Sequence, residues 1–528
     1  MRGDKQPYFG LTGTMLNVWV TIACTTAMTL YGYDQGVFGG IIITKDFLHT
    51  MGEPDAKLQG TIVSLYDIGC FLGAMSTFVF GEGLGRKKTL MTGTAIVSIG
   101  AILQTAAFSV PQITVARIIT GIGNGINTAT APVWQSETSK PDFRGKLVVF
   151  ELIINIAGFS LSNWMTYGFS FTSGSIAWRF PLAFQLFFST ILFATVPWLP
   201  ESPRWLLAHG YHDEGLGILA ALEGEHATPN DDYILNQKNI ILEAVRIEQE
   251  TAPTWMEILR GKTGTTGMVS RLLLGAGTQW MHQLVGINVT SYYLPLVLQS
   301  SVGLSNNLAR LLAACNSISY FIFSFAGLLL IERVGRRKLM MWGAAGQCVC
   351  YIFISALLSR ADDPEYGHEF AAGATAFFFL YYIFFGICWQ GVPWLYPTEI
   401  NSLSMRTKGV AVGTASNWLC NYLVVQLTPL GIANLDWRFY LIWVVFNAIF
   451  VPLVWLVYPE TANRQLEDID KLYRENKFML FVFRNKEAIQ VKRPQRFIDA
   501  DEQRMEMFTI SEQEEEDRKD RMKRRDEE

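Results

Sequence analysis

The 528-residue chain is half hydrophobic and only 17% charged, with 35 Phe and 15 Trp, whereas a soluble globular chain carries about 25% charged residues. A string of soluble domains is excluded, and the apolar residues fall in long blocks such that twelve spanning helices of about 20 residues each would fill a little under half of the length. The formal net charge of −4 gives no surplus that would point to a nucleic-acid or acidic-substrate partner.

The chain opens MRGDKQPYFGLTGTMLNVW, without the short apolar core and small-residue cleavage site of a signal peptide. Residues 1–14 therefore read as a cytoplasmic N-terminus, and the first apolar block as a retained span. Apolar stretches lie near 15–40, 60–80, 90–109, 112–133, 147–168 and 180–199, giving an N-terminal six-helix half over 15–200. A polar linker follows over 201–271. A second set near 272–300, 307–331, 339–358, 370–396, 410–431 and 438–458 makes a C-terminal half over 272–458, and 459–528 is a charged tail. Lipid cannot hydrogen-bond a backbone, so each stretch should be helical. The expected fold class is an all-α membrane protein with twelve transmembrane helices in two six-helix halves and a cytoplasmic helical linker.

Lys and Arg concentrate in the connections after spans 2, 4, 8 and 10, at Arg86, Lys87 and Lys88; Lys140, Arg144 and Lys146; Arg333, Arg336, Arg337 and Lys338; and Arg406 and Lys408. The opposite loops hold scattered bases and the acidic run Asp362, Asp363 and Glu365. The positive-inside rule then places both termini and the linker in the cytoplasm.

The halves repeat a sparse set of residues. Glu82 with Gly85-Arg86-Lys87 recurs as Glu332 with Gly335-Arg336-Arg337, 250 positions on. Glu137 precedes Arg144 by seven, as Glu399 precedes Arg406, 262 on. Trp178-Arg179-Phe180 and Pro200-Glu201 recur 259 on as Trp437-Arg438-Phe439 and Pro459-Glu460. Duplication of a six-helix unit is the mark of a transporter whose halves rock about a midplane site.

Other chemistries lack support. The seven cysteines lie in apolar blocks with no metal-type CxxC spacing, and there are six histidines with no HExxH, GxSxG or Walker sequence, so no enzyme site, metal or cofactor is expected. The GIGNG run at 121–125 has no preceding strand and reads as close helix packing rather than a dinucleotide fingerprint. The sequon at Asn288 lies inside span 7 and is discounted. The sign-mixed run at 512–528 reads as solvated.

Taken together, GYDQG at 32–36, GEGLGRKK at 81–88, Arg117, ETSKPDFRGK at 137–146, PESPRWL at 200–206, HQLVGINVTSYY at 282–293, ERVGRRK at 332–338, PWLYPTE at 393–399, NWLCN at 417–421 and PETANRQLEDID at 459–470 resemble the sugar porter branch of the major facilitator superfamily over almost all of 15–470. TAPVWQSETSK, YDIGCFLG and SNWLCN are most similar to fungal glycerol/proton symporters and their filamentous-fungal relatives. The resemblance implies a secondary transporter at the plasma membrane that works as a monomer among lipid and imports a small polyhydroxylated solute with a proton. Direct uptake is the measurement that separates this from a hexose uniporter or a non-transporting sugar sensor.

It also implies roles for individual residues. Arg86, Glu137, Arg144, Glu332, Arg333, Arg336, Glu399 and Arg406 would latch helix ends on one side of the membrane through charge-assisted bonds, and Tyr292 and Tyr293 would gate span 7. Gly83 replaces a usual base, so the N-terminal latch is expected to be the weaker. Ionisable groups inside a bilayer cost several kcal/mol unless paired or wetted. Asp34 would be the proton acceptor and Arg117 its partner. Glu151 reads as a second proton site, a ligand for solute hydroxyls or a packing hydrogen bond, and Asp67 as structural.

For the solute, span 7 presents Gln279, His282, Gln283 and Asn288 at helical spacing, with Gly275, Gly277 and Gly286 to let it break; an amide offers a hydroxyl both donor and acceptor. Trp394 would supply an apolar face, and Asn417 and Asn421 further polar contacts. Four departures from the family pattern put a standard hexose site in doubt: Leu152 for a glutamine, His282 for a glutamine, Tyr320 for an asparagine and Gly386 for a glutamate.

Overall fold

The computed structural model describes residues 7–251, 254–259, 267–361, 363–402, 405–476 and 479–499. Their regular structure is helical throughout, with no strand among the described residues. The N-terminal spans are Gly13–Ile41, Ala56–Ser76 prolonged by a π-helical turn to Leu84, Arg86–Thr105, Val110–Thr138, Pro141–Phe169, and the pair Ile176–Ala183 and Gln185–Thr195. Span 7 is the broken series Met268–Leu284, Ile287–Ser291 and Leu294–Ser300. Spans 8 to 12 are Asn306–Val334, Arg336–Leu358, Gly367–Cys388 with Val392–Ile400, Arg406–Leu435 and Phe439–Val457. Short helices occupy the linker, among them His212–Glu223 and Asp232–Thr251.

Among the described residues, eight stretches are long and apolar enough to cross a membrane on length and composition alone, and these take in all spans except 3, 4 and 7. The exceptions carry polar groups on their buried faces: Thr94 and Gln104 on span 3, Arg117, Asn124 and Asn127 on span 4, and Gln279, His282 and Gln283 on span 7. Polarity inside a spanning bundle marks a cavity or a proton path rather than a soluble helix.

Small residues set the helix packing within the N-terminal half. A Cβ on Gly121 would fall 2.2 Å from the Tyr66 carbonyl oxygen, and one on Gly125 would fall 2.1 Å from that of Cys70. The 121–125 run is thus the seam between spans 4 and 2, a close approach that only glycine permits. Spans 1 and 5 meet in the same way at Gly32 and Gly158. Between the halves, span 2 packs on span 11 and span 5 on span 8, leaving the centre to spans 1, 4, 7 and 10.

Span 7 breaks at Gly286, whose φ of +96° is accessible to glycine and strained for other residues. The carbonyls freed there are satisfied from neighbouring spans: Tyr351 Oη donates to Gly286 O at 3.0 Å, and Tyr381 Oη and Asn447 Nδ2 donate to Val285 O at 3.1 and 3.2 Å. Gly275 and Gly277, expected to share in the break, lie within an unbroken helix. Gly277 instead makes room for the Tyr458 hydroxyl.

Candidate functional site

A cavity with an open mouth lies between the halves, among the helices of the bundle where small-molecule sites are commonly found. Tyr31, Gln35, Leu152, Asn155 and Phe159 line it from the N-terminal half, and His282, Gln283, Asn288, Tyr320, Trp394 and Asn417 from the C-terminal half.

The polar wall is one directed chain of hydrogen bonds. Gln35 Nε2 donates to Asn288 Oδ1 (3.2 Å), Asn288 Nδ2 to Gln283 Oε1 (2.5 Å), Gln283 Nε2 to Asn417 Oδ1 (3.2 Å), and Asn417 Nδ2 to Gln279 Oε1 (2.7 Å). It ends where Gln279 Nε2 donates to Pro393 O at 2.8 Å. Gln279 therefore stands behind the wall and holds Asn417, rather than facing the cavity. Asn421 is also one layer back: it accepts from Asn288 at 2.6 Å and donates to Asp67 Oδ1 at 2.9 Å. The Asn417 amide donates to His282 Nδ1 at 3.2 Å, which leaves the ring proton on Nε2, a buried donor with no partner among the described residues.

Tyr320 is held by ring neighbours. It sits edge-on to Tyr382 and Phe385, with centroids 5.2 and 5.8 Å apart, and its hydroxyl donates to Gln390 Oε1. Gly386 is what makes room for that ring, since a Cβ there would lie 3.2 Å from the Tyr320 ring and 3.1 Å from Ser324 Oγ. The two departures at 320 and 386 are one packing solution. Gln390 also donates to Leu152 O across the halves at 3.3 Å, so an amide from span 10 stands beside the position where Leu152 offers none.

Beside the cavity, Arg117 Nη1 pairs with Asp34 Oδ1 at 3.2 Å, and Asn124 Nδ2 donates to Asp34 Oδ2 at 3.1 Å. The guanidinium lies over Phe38 and Tyr66, 4.1 and 4.3 Å from the ring centroids. Glu151 is fully buried, and neither carboxyl oxygen has a partner among the described residues.

Residues 19–473 match the family described as Sugar (and other) transporter. The chain belongs to that family. It is 54% identical over 507 residues to the MFS-type transporter oryC of Aspergillus oryzae, covering 95% of this chain and 94% of that one. It is 35% identical over 484 residues to the sugar transporter STL1 of Saccharomyces cerevisiae, covering 89% and 83%. A solved structure of the xylose transporter XylE from E. coli, in a partially occluded inward-open conformation, superposes with a TM-score of 0.71 at 22% identity, covering 85% of this chain and 99% of that one. The shared fold is that of the major facilitator superfamily, and this sugar transporter family member is a multi-pass membrane protein.

At the face that carries the termini, each half of the transporter has an Arg–Glu clasp. Arg86 Nε and Nη2 donate to Glu137 at 2.8 and 2.9 Å. Arg336 reaches Glu399 at 2.7 Å and Glu332 at 2.8 Å. The C-terminal clasp is the richer, and the difference rests on Glu332, which pairs with Arg336, whereas its counterpart Glu82 makes no ion pair among the described residues; Arg333 is exposed and makes none either. Arg406 is exposed. The Arg144 side chain lies outside the described residues.

Two further glutamates, noticed in the sequence only as repeats, cap the helices that start these clasps. Glu201 accepts from the backbone N–H groups of Arg86 (2.9 Å), Lys87 (3.2 Å) and Ser202 (2.8 Å). Glu460 accepts from those of Arg336 (2.9 Å), Arg337 (3.2 Å), Thr461 (3.1 Å) and Ala462 (3.1 Å). A carboxylate is favoured at these helix N-termini, where unpaired N–H groups and the helix dipole present positive charge. Desolvation raises the Glu201 carboxyl above its ordinary range despite those bonds.

Hydrogen bonds that tie the halves together gather at cavity level and toward the face opposite the termini. Arg310 Nη2 donates to Thr44 Oγ1 at 2.9 Å and its Nη1 to Thr166 O at 3.2 Å, Asn306 Nδ2 donates to Ile43 O at 3.0 Å, and Ser64 Oγ donates to Gln426 at 2.7 Å. Tyr292 Oη donates to Asp67 at 3.3 Å, whereas Tyr293 Oη donates within its own half to Val425 O at 3.1 Å.

Proposed function

We propose that this transporter imports a small polyhydroxylated solute, a sugar or a sugar alcohol such as glycerol, across the plasma membrane together with a proton, by alternating access. The carrying observation is the directed amide chain from Gln35 to Gln279 along one wall of the inter-half cavity. Amides bonded to each other are satisfied when the cavity holds no solute, and each can exchange a neighbour for a hydroxyl, which also donates and accepts. The orphan His282 Nε2 proton adds a fixed donor, and Trp394 an apolar face. Gln283, Asn288 and Asn417 contact the solute on this reading, with Gln279 and Asn421 holding them in place.

Asp34 is the proton acceptor and Arg117 its counter-ion. Burial disfavours an ionised carboxyl and a nearby cation favours it, so a cycle that changes both can load and release a proton. Glu151, buried with no partner among the described residues, fits a second protonation site better than a packing bond. The clasps at Arg86 and Arg336 latch helix ends on the side of the termini, and breaking them permits inward opening, with both termini and the 201–271 linker cytoplasmic. The halves over 15–200 and 272–458 move as units within a monomer.

Uptake of radiolabelled glycerol, pentose and hexose in a transporter-deficient host, with external pH recorded, tests solute and coupling together. Uptake of at least one with alkalinisation of the medium supports the proposal. Uptake without any pH change would leave a uniporter, and no uptake of any would favour a sensor.

A further inference from the structure

Asp67 on span 2 enters none of the roles above. It is fully buried, and Oδ1 accepts from two groups of the other half, Asn421 Nδ2 at 2.9 Å and Tyr292 Oη at 3.3 Å. Oδ2 has no partner among the described residues. Through Asn421 the carboxylate joins the amide wall, since Asn288 lines the cavity and donates to Asn421. It also shares the Arg117 field with Asp34. The contact lies where spans 1 and 7 of the two halves approach closely: a Cβ on Gly39 of span 1 would meet Tyr292 O at 2.8 Å.

We infer that Asp67 is the proton-sensitive latch between the halves, a positioning residue that ties protonation to opening on the face away from the termini. The inference rests on the proton-symport reading above. A charged Asp67 receives two charge-assisted bonds from the opposite half, and such bonds are roughly twice as strong as neutral ones. A proton added at the free Oδ2 leaves both bonds in place at Oδ1 but removes the charge that strengthens them. The latch then loosens and the cavity opens outward, where protons and solute enter. The titratable or charged groups within electrostatic reach are Asp34 and Tyr31 on span 1, Arg117 on span 4, Tyr292 and Tyr293 on span 7, and Cys70 on span 2 itself. Arg117 is the lone cation in that set and already holds Asp34, so Asp67 relies on the two donors across the interface. Solute in the cavity acts on the same latch by competing for Asn288.

The test uses full-length protein in liposomes, with spin labels at the exposed positions 57 and 307 on the far ends of spans 2 and 8. The distance between them is recorded from pH 8 to pH 5, and proton uptake driven by glycerol, xylose or glucose is measured in parallel. In the wild type the long-distance population should grow at least threefold as pH falls. Asp67→Asn, which keeps an acceptor oxygen but cannot ionise, should show the long distance at every pH. Tyr292→Phe, which removes one donor, should open with less acid, its midpoint moving to higher pH. If Asp67→Asn follows the wild-type curve while the wild type takes up protons, the latch is overturned and the symport reading stands. If the wild type takes up no protons with any of the three solutes, both fall. Should Asp67→Asn fail to fold, an unchanged midpoint in Tyr292→Phe overturns the latch.

Discussion

The Arg117 guanidinium and the Asp34 carboxylate face each other at 3.2 Å with neither side chain exposed, and the two cannot be neutralised alike. A carboxyl becomes neutral by taking a proton, whereas a guanidinium stays charged. Asp34→Asn should therefore abolish accumulation of solute against a gradient while leaving exchange, because the amide mimics the protonated acid and cannot cycle. It should also lower thermal stability, since breaking a buried pair costs about 3–5 kcal/mol; contact with Phe38 and Tyr66 keeps the loss toward the lower figure. Arg117→Leu should destabilise less, its partner being free to protonate. Concentrative uptake with alkalinisation in Asp34→Asn would remove Asp34 from the mechanism.

The helix caps give a stability prediction. Glu460 is fully buried and accepts four backbone N–H groups, while Glu201 is half-buried and accepts three. Hydrogen bonds to charged groups contribute about 1.5–3 kcal/mol, and losing the acceptor strands buried donors. Glu460→Ala should lower the melting temperature in detergent more than Glu201→Ala does. The adjacent glycines are needed for the same reason: Gly85 and Gly335 have φ of +80° and +91°, and a Cβ would meet the capping carboxylate at 2.7 and 2.3 Å. An equal loss from the two Glu variants would mean that water replaces the cap at both ends.

The clasps should govern rate rather than affinity. Arg336 is 4% exposed and holds two carboxylates, while Arg86 is 18% exposed and holds one. Arg336→Ala leaves Glu332 and Glu399 facing one another and should reduce turnover about tenfold or more, with Arg86→Ala milder, on the scale of one or two charge-assisted bonds. Arg406→Ala should act in the same direction. Equilibrium binding of solute to purified protein should stay within about twofold, because these groups sit at helix ends far from the cavity. Lost affinity with preserved turnover would contradict the latch role.

What could be read from the sequence followed physical scale. Spanning helices need long apolar runs, which mark most of the twelve plainly and spans 3, 4 and 7 less so because polar groups dilute them, and the break in span 7 was foreseeable because Gly286 stands among polar residues. Its neighbours Gly275 and Gly277 looked equivalent and are not; only contact with Pro397 and Tyr458 shows them to be packing positions. Gln390 and Asn155 were missed as cavity residues because each is a single polar residue with no motif, brought to the cavity by the packing of spans 5, 8 and 10. From the sequence Asp67 reads as structural, and nothing within span 2 reveals its partners Tyr292 and Asn421, more than two hundred residues away in the chain. The capping role of Glu201 and Glu460 likewise appears only when the chain returns to the start of spans 3 and 9.

Solute size is decided at Tyr320 and Leu152. The Tyr320 ring fills the space that Gly386 leaves and spends its hydroxyl on Gln390, which in turn spends its amide N–H on the Leu152 backbone. This corner of the cavity is therefore occupied and internally satisfied, and the remaining polar wall suits a short polyol or a loosely held monosaccharide. Gln283→Ala and Asn288→Ala should each reduce transport of every accepted solute, since both interrupt the shared amide chain. A Leu152→Gln, Tyr320→Asn double change should free Gln390, add two amides and open room for a ring. At about 1–1.5 kcal/mol per hydrogen bond gained, roughly tenfold each, the ratio of hexose to glycerol uptake should rise by one to two orders of magnitude in competition assays. A wild-type protein that takes up glucose tightly and ignores glycerol, or a double variant with an unchanged ratio, would show that this corner does not set selectivity.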